Sequence, residues 1–145
     1  MSTDSVVIHH NPDCGTSRNV LRIIEAAGYA PEVVLYLEEG WTRPQLLALF
    51  AAAGLTPREA LRVSKTPAEQ LGLTAEGVSD EAILAAMLEH PILVNRPIVA
   101  TAKGVKLCRP SGEVLDLLER WPEGPFAKED GDLVIDAEGR RVAGA

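Results

Sequence analysis

The residue best placed to do chemistry is Cys14, in the run Asn11-Pro-Asp-Cys-Gly-Thr-Ser-Arg18. A cysteine reacts as thiolate, and a free thiol of pKa about 8.5 is only a few per cent ionised at pH 7. The question is what stabilises the anion. Asn11 to Gly15 is turn chemistry, and a helix pattern follows it. Amides of Gly15, Thr16 and Ser17 in a first helical turn lack partners within the helix, so they can donate to sulfur or to a bound oxyanion. Gly15 lets an anion come close to the backbone. Thr16 and Ser17 add hydroxyl donors, Asn11 can brace the loop through its amide, and Pro12 stiffens it. One helix terminus contributes about 0.3–1 kcal/mol, or about 2 when partly buried. Strong activation therefore needs a cation or further donors. Arg18 on the first turn and His10, four residues before the cysteine, are the local candidates.

Two other cysteine chemistries are excluded by neighbouring positions. Position 17 is Ser, so the loop is not a two-cysteine redox box, and position 20 is Val, so no Arg follows the cysteine by six residues as in phosphatase-like loops. The loop lacks a resolving thiol. Unless Cys108 serves, electrons must come from an outside thiol; a cysteine in a strand is more often packed than reactive.

Arginines outnumber lysines ten to four. Arg offers rigid, bidentate recognition of oxyanions that Lys does not match. Arg96 and Arg109 each precede a proline, which favours extended backbone. Arg62 lies near the end of a helix expected after Thr56, with Arg58 as a competing candidate. The sequence alone does not bring these side chains together.

The elements that must position these groups read as follows. Residues 5–9 form a short strand, 16–27 carry apolar residues at helical spacing, Gly28 stops that helix, and 31–36 form a second strand. This is a βαβ unit with parallel strands. Thr42-Arg-Pro-Gln45, Thr56-Pro-Arg-Glu59 and Thr66-Pro-Ala-Glu69 have capping-box spacing and predict three helix starts. Ser79 caps a further helix over 80–89. Residues 98–101 and 105–108 form a hairpin around a turn at 102–104. Ser111 is read as capping a helix from Gly112 to about Trp121, and 132–142 as a small second hairpin around Glu138-Gly139. The expected fold class is α/β: a thioredoxin-like four-stranded mixed sheet, βαβ then ββα, with a helical insertion at about 42–90 and a C-terminal extension at about 122–145. The whole chain, 1–145, is expected to be a single domain.

The chain has 145 residues, 46% hydrophobic, 24% charged and 4% aromatic, so its core must be largely aliphatic. Its net charge of −7 argues against a nucleic-acid surface. It also means that a bound anion must be held by local groups. The polar start, residues 1–5, predicts no targeting leader, and no apolar run approaches the roughly 18 residues of a membrane span. Two cysteines far apart in sequence predict free thiols and a cytoplasmic location.

Taken together, His10-Asn-Pro-Asp-Cys-Gly-Thr-Ser-Arg-Asn19, Leu35-Tyr-Leu-Glu38, His90-Pro-Ile-Leu-Val-Asn-Arg-Pro-Ile-Val99, Leu107-Cys-Arg-Pro-Ser111 and Lys128-Glu-Asp-Gly131 resemble the glutaredoxin-linked arsenate reductases, the ArsC family. The resemblance runs in order from about Val6 to Val142. It implies that Cys14 is the nucleophile, assisted by His10. It implies that Arg62, Arg96 and Arg109 hold the oxyanion, together with Gly15, Thr16 and Ser17, and that the peptide bond before Pro97 is cis. The implied reaction is reduction of arsenate to arsenite through a Cys14–arsenic adduct. Glutathione would be co-substrate and glutaredoxin partner, with no bound cofactor or metal. Two other readings belong to the same fold. One is a regulator that binds RNA polymerase under thiol stress, although such regulators typically carry two loop cysteines. The other is a glutathione-dependent reductase of a different oxyanion, or an orphan thioredoxin-like protein; arsenate and phosphate have nearly the same shape, but of the two only arsenic is readily reduced by thiols.

Overall fold

A computed structural model describes residues 4–145; the first three residues of the polar start lie outside the described residues. The chain divides into two compact units, one made of residues up to Val34 and from Arg96 onward, the other of Leu35–Asn95.

In the first unit, β1 (Val6–His9), β2 (Glu32–Val34), β3 (Ile98–Thr101) and β4 (Gly104–Leu107) form a mixed sheet in the order β2-β1-β3-β4. β1 pairs parallel with β2, as a strand–helix–strand unit requires, and antiparallel with β3, which pairs antiparallel with β4. This is the sheet expected from the sequence. The connecting helix, α1 (Gly15–Ala26), buries Val20, Ile23 and Ile24, the stripe its spacing predicts. Gly28, at φ +96°, takes the left-handed turn that ends it. The aliphatic core joins this stripe to Val6, Ile8, Val99, Cys108, Val114 and Leu115. Each such side chain contributes about 1.5–3 kcal/mol by leaving water.

The second unit holds α2 (Tyr36–Glu39), α3 (Arg43–Ala53), α4 (Asp80–Glu89) and a 3-10 turn at Pro91–Leu93. The Thr42 box forms in full: the Thr42 hydroxyl accepts from Gln45 N–H while the Gln45 side chain accepts from Thr42 N–H. The Ser79 hydroxyl likewise accepts from Ala82 N–H.

Four expectations need correction. The second strand ends at Val34, and Tyr36 begins a short helix, its ring stacked on Trp41 at 4.9 Å. Thr56 and Glu59 make their reciprocal box, yet no helix follows. Leu61 bridges Val94 and Arg62 N–H donates to Leu93 O at 2.7 Å, so the chain leaves the helical path after one turn. At Thr66 the hydroxyl accepts from Ala68 N–H and donates to Arg62 O, and turns replace the expected helix. Residues 112–121 do not form an α-helix. Ser111–Leu117 is a 3-10 helix with Pro110, not Ser111, at its cap.

The hairpin expected over 132–142 is only partly present. β6 (Leu133–Ile135) pairs with β5 (Phe126–Ala127), while a tight turn at Asp136–Arg140 returns the chain to a single bridge between Ile135 and Arg141.

Candidate active site at the thiol of Cys14

The register of the sheet builds the site. His9, at the end of β1, pairs with Ile98, at the start of β3, and Ile98 pairs with Leu107, at the end of β4. The loop after β1, the residues before β3 and those after β4 therefore emerge at the same end of the sheet. Carried two residues further, the β3–β4 register sets Arg96 opposite Arg109. Both arginines precede cis prolines, Pro97 and Pro110; the first was implied by the resemblance and the second was not anticipated.

Cys14 occupies the cap position of α1, with extended backbone. The loop before it is braced from within: Cys14 N–H donates to Asn11 O at 3.0 Å, and Asp13 N–H donates to Asn11 Oδ1 at 3.0 Å. No acidic residue stands in the first turn of α1, so nothing there offsets its positive end. The Arg109 guanidinium reaches the sulfur, with Nη1 3.7 Å from Sγ, while the same nitrogen donates to Arg96 O at 3.0 Å.

Two effects compete at the thiol, which is 8% exposed. Burial is the largest single effect and opposes the charge; the Ser17 backbone N–H and the Arg96 and Arg109 side chains oppose burial, and together they win. The Cys14 thiol is held below the ordinary thiol range. Its side chain makes no conventional capping bond, so the Ser17 amide acts as a dipole aimed at the anion.

Three sequence expectations change in detail. The Ser17 hydroxyl is buried inside the loop, 2.6 Å from His10 Nδ1, and accepts from Asn11 N–H at 3.1 Å; its amide, not its hydroxyl, faces the sulfur. His10 is buried, and burial, aided by the nearby charge of Arg18, lowers its pKa, so the imidazole is neutral at pH 7. Arg18 does not turn its guanidinium to the thiol. Nη1 donates to Pro12 O at 2.9 Å, and Nε lies 3.0 Å from the Glu129 carboxylate, which this pairing holds below the usual carboxylate range. Sequence reasoning gave Glu129 no part. The available signal was that Asn19 and Lys128–Gly131 both fall within the resembling motifs, and Glu129 N–H donates to Asn19 Oδ1 at 2.9 Å.

Gly15 and Thr16 open α1 directly after the sulfur. Arg62 belongs to the second unit. So does Arg58, whose guanidinium donates to Val78 O at 2.6 Å. Cys108 is 0% exposed, and burial pushes its thiol up to about 12. Among the described residues no helix is long and apolar enough to cross a membrane.

The ArsC family profile matches residues 9–117. Over 142 residues the chain is 68% identical to the arsenate reductase ArsI1 of Synechocystis sp., covering 98% of this chain and 99% of that one. It is 47% identical over 138 residues to an arsenate reductase of Escherichia coli, covering 95% and 98% of the two chains. Among solved structures, the arsenate reductase from Vibrio cholerae superposes with a TM-score of 0.74 at 40% identity, covering 79% of this chain and 98% of that chain. Sequence, sheet and the placement of the thiol agree, and with its thioredoxin-like fold the chain belongs to the ArsC family.

Proposed function

We propose that this chain reduces arsenate to arsenite, with Cys14 as nucleophile and glutathione and glutaredoxin as the source of electrons. The observation that carries the reading is the Cys14 sulfur at the start of α1 with the Arg109 guanidinium 3.7 Å away. The relatives named arsenate reductase at 68% and 47% identity support the choice of substrate.

Arsenate carries negative charge into an acidic protein, so its oxygens need the local donors. Arg96 and Arg109 would hold two of them, with the amides of Gly15, Thr16 and Ser17 at the helix start. The resemblance adds Arg62; Arg58 is the weaker alternative, because its guanidinium is already engaged with the Val78 carbonyl. The Cys14 thiolate displaces one arsenate oxygen, which leaves as water after protonation, and forms a sulfur–arsenic(V) bond. A glutathione thiol displaces a second oxygen in the same way. A glutaredoxin thiolate then attacks the glutathione sulfur. The glutathione–glutaredoxin disulfide leaves, and its formation delivers two electrons to arsenic, which becomes trivalent. Water cleaves the Cys14–arsenic bond, releasing arsenite and regenerating the thiol. Arginines act most strongly where oxygen charge shifts in the transition state. Neutral His10, bonded to Ser17, keeps the Ser17 segment and its amide in place beside the sulfur. A loop without a second cysteine suits external thiol donors, and a cytoplasmic location would supply them.

The test is NADPH consumption dependent on arsenate, with purified protein, glutathione, glutaredoxin and glutathione reductase. Turnover that needs all three components is expected. Folded protein with a titratable Cys14 but no arsenate-dependent turnover would refute the proposal.

A further inference from the structure

Arg18 stands one turn after Cys14, and its backbone N–H donates to Cys14 O at 3.0 Å. A Cβ placed on Gly15 would lie 3.6 Å from Arg18 Nη2, so this guanidinium runs beside the turn that faces the sulfur. An arginine there has two anions to choose from, the thiolate and a carboxylate. The fold supplies the carboxylate from far along the chain. Arg18 Nε and Nη2 donate to Glu129 at 3.0 and 3.1 Å, while Nη1 donates to Pro12 O at 2.9 Å. Glu129 is itself fixed, through its N–H to Asn19 Oδ1. Further along α1, Arg22 donates to Ala127 O at 3.3 Å and lies over the Phe126 ring, 5.3 Å from its centroid. Three residues of one helix thus hold residues 126–129 in place.

We infer that Glu129 is a positioning residue for the Cys14 site: it holds Arg18 against the Pro12 carbonyl, which fixes the loop and keeps a mobile cation off the sulfur. The close contacts to the thiolate are then left to the Ser17 amide and to Arg96 and Arg109, while Arg18 acts only through its held charge. The inference builds on Cys14 as the reactive thiol, and its test uses no arsenate, so it stands or falls separately from the reductase reading.

The charged and titratable groups around the site are His10 and Asp13 in the loop, Arg18 on α1, Arg96 and Arg109 from the hairpin, and Glu129 from the extension; of these, Arg96 and Arg109 act on the Cys14 thiol through hydrogen bonds and Arg18 through its charge. The experiment follows the iodoacetamide alkylation rate of Cys14 against pH in the full chain, with circular dichroism to verify folding. Glu129→Gln releases Arg18 toward the sulfur; the midpoint should fall, and alkylation at pH 6 should speed up by about threefold, the scale of an exposed ion pair. Arg18→Gln should move the midpoint the opposite way. Glu129→Asp, which keeps the charge, should restore most of the wild-type profile. In the Arg18→Gln background, Glu129→Gln should have less than about half its effect in the wild type, because it acts through Arg18. If both single variants shift the midpoint in the same direction, the pair is merely structural and the inference is wrong. An equal effect of Glu129→Gln with and without Arg18, or no shift, overturns it as well.

Discussion

Replacing Arg109 by Gln removes a cation that lies against the sulfur while leaving a polar, uncharged side chain. The magnitude follows from the contact. Nη1 lies 3.7 Å from Sγ. Unit charges about 4 Å apart interact by about 1 kcal/mol in water and about 4 kcal/mol near a protein surface. Desolvation of the guanidinium reduces the upper figure, and hydrogen bonds to charged groups typically contribute about 1.5–3 kcal/mol. Taking about 1.5–2 kcal/mol, the thiolate population on the acid side of the midpoint should fall about tenfold to thirtyfold. Iodoacetamide is the right probe because it is neutral and reports the thiolate without needing the oxyanion site. The sign is fixed by the lowered thiol pKa: wild-type Cys14 keeps its reactivity well below the ordinary thiol range and loses it as pH falls through its own midpoint. In Arg109→Gln that loss begins at higher pH. Arg109→Lys, which keeps the charge but not the planar fork, should lie between the two. An Arg109→Gln protein alkylated within twofold of wild type at pH 6 would show that the helix start and Arg96 suffice, and would refute the reasoning.

Cys14→Ser should abolish arsenate-dependent turnover, whereas Cys108→Ala should keep most of it, because a thiol pushed up to about 12 is not a nucleophile at neutral pH; the coupled assay separates them. Thr42→Ala removes one half of a complete capping box and should cost about 1 kcal/mol, read from the urea unfolding midpoint. Gly124→Ala would drive a Cβ into the Asp136 carbonyl oxygen and within 3.0 Å of Ile135 Cγ2, and should cost about 1–3 kcal/mol in the same measurement.

Local signals in the sequence were reliable where the structure answers locally. The strand–turn–helix around Cys14, the box at Thr42, the cap at Ser79, and both strands of the hairpin needed only neighbours a few residues away. Thr56 shows the limit. Its box forms as the sequence predicts, but Leu61 and Arg62 pair with Val94 and Leu93, about thirty residues on, and that pairing stops a single turn from growing into a helix. At 111–117 the capping signal of Ser111 was likewise overridden, and a tighter helix began one residue earlier. The approach of Arg96 and Arg109 to one sulfur depends on strand register, which the motifs did not specify. Arg18 was misread for an electrostatic reason: helix position alone favoured the thiolate, whereas the carboxylate that captures it lies 111 residues away.

The contact between Arg109 and Cys14 spans 95 residues of sequence. The unfolded chain cannot hold that arginine beside the sulfur, so the thiol should gain the share of its acidity that Arg96 and Arg109 supply only when β1, β3 and β4 have joined. Such distant pairing is the slow part of folding a sheet. Cys14 therefore carries a built-in chemical clock. Short pulses of a thiol reagent at mildly acidic pH, applied during refolding, would mark the moment of sheet closure by the onset of labelling.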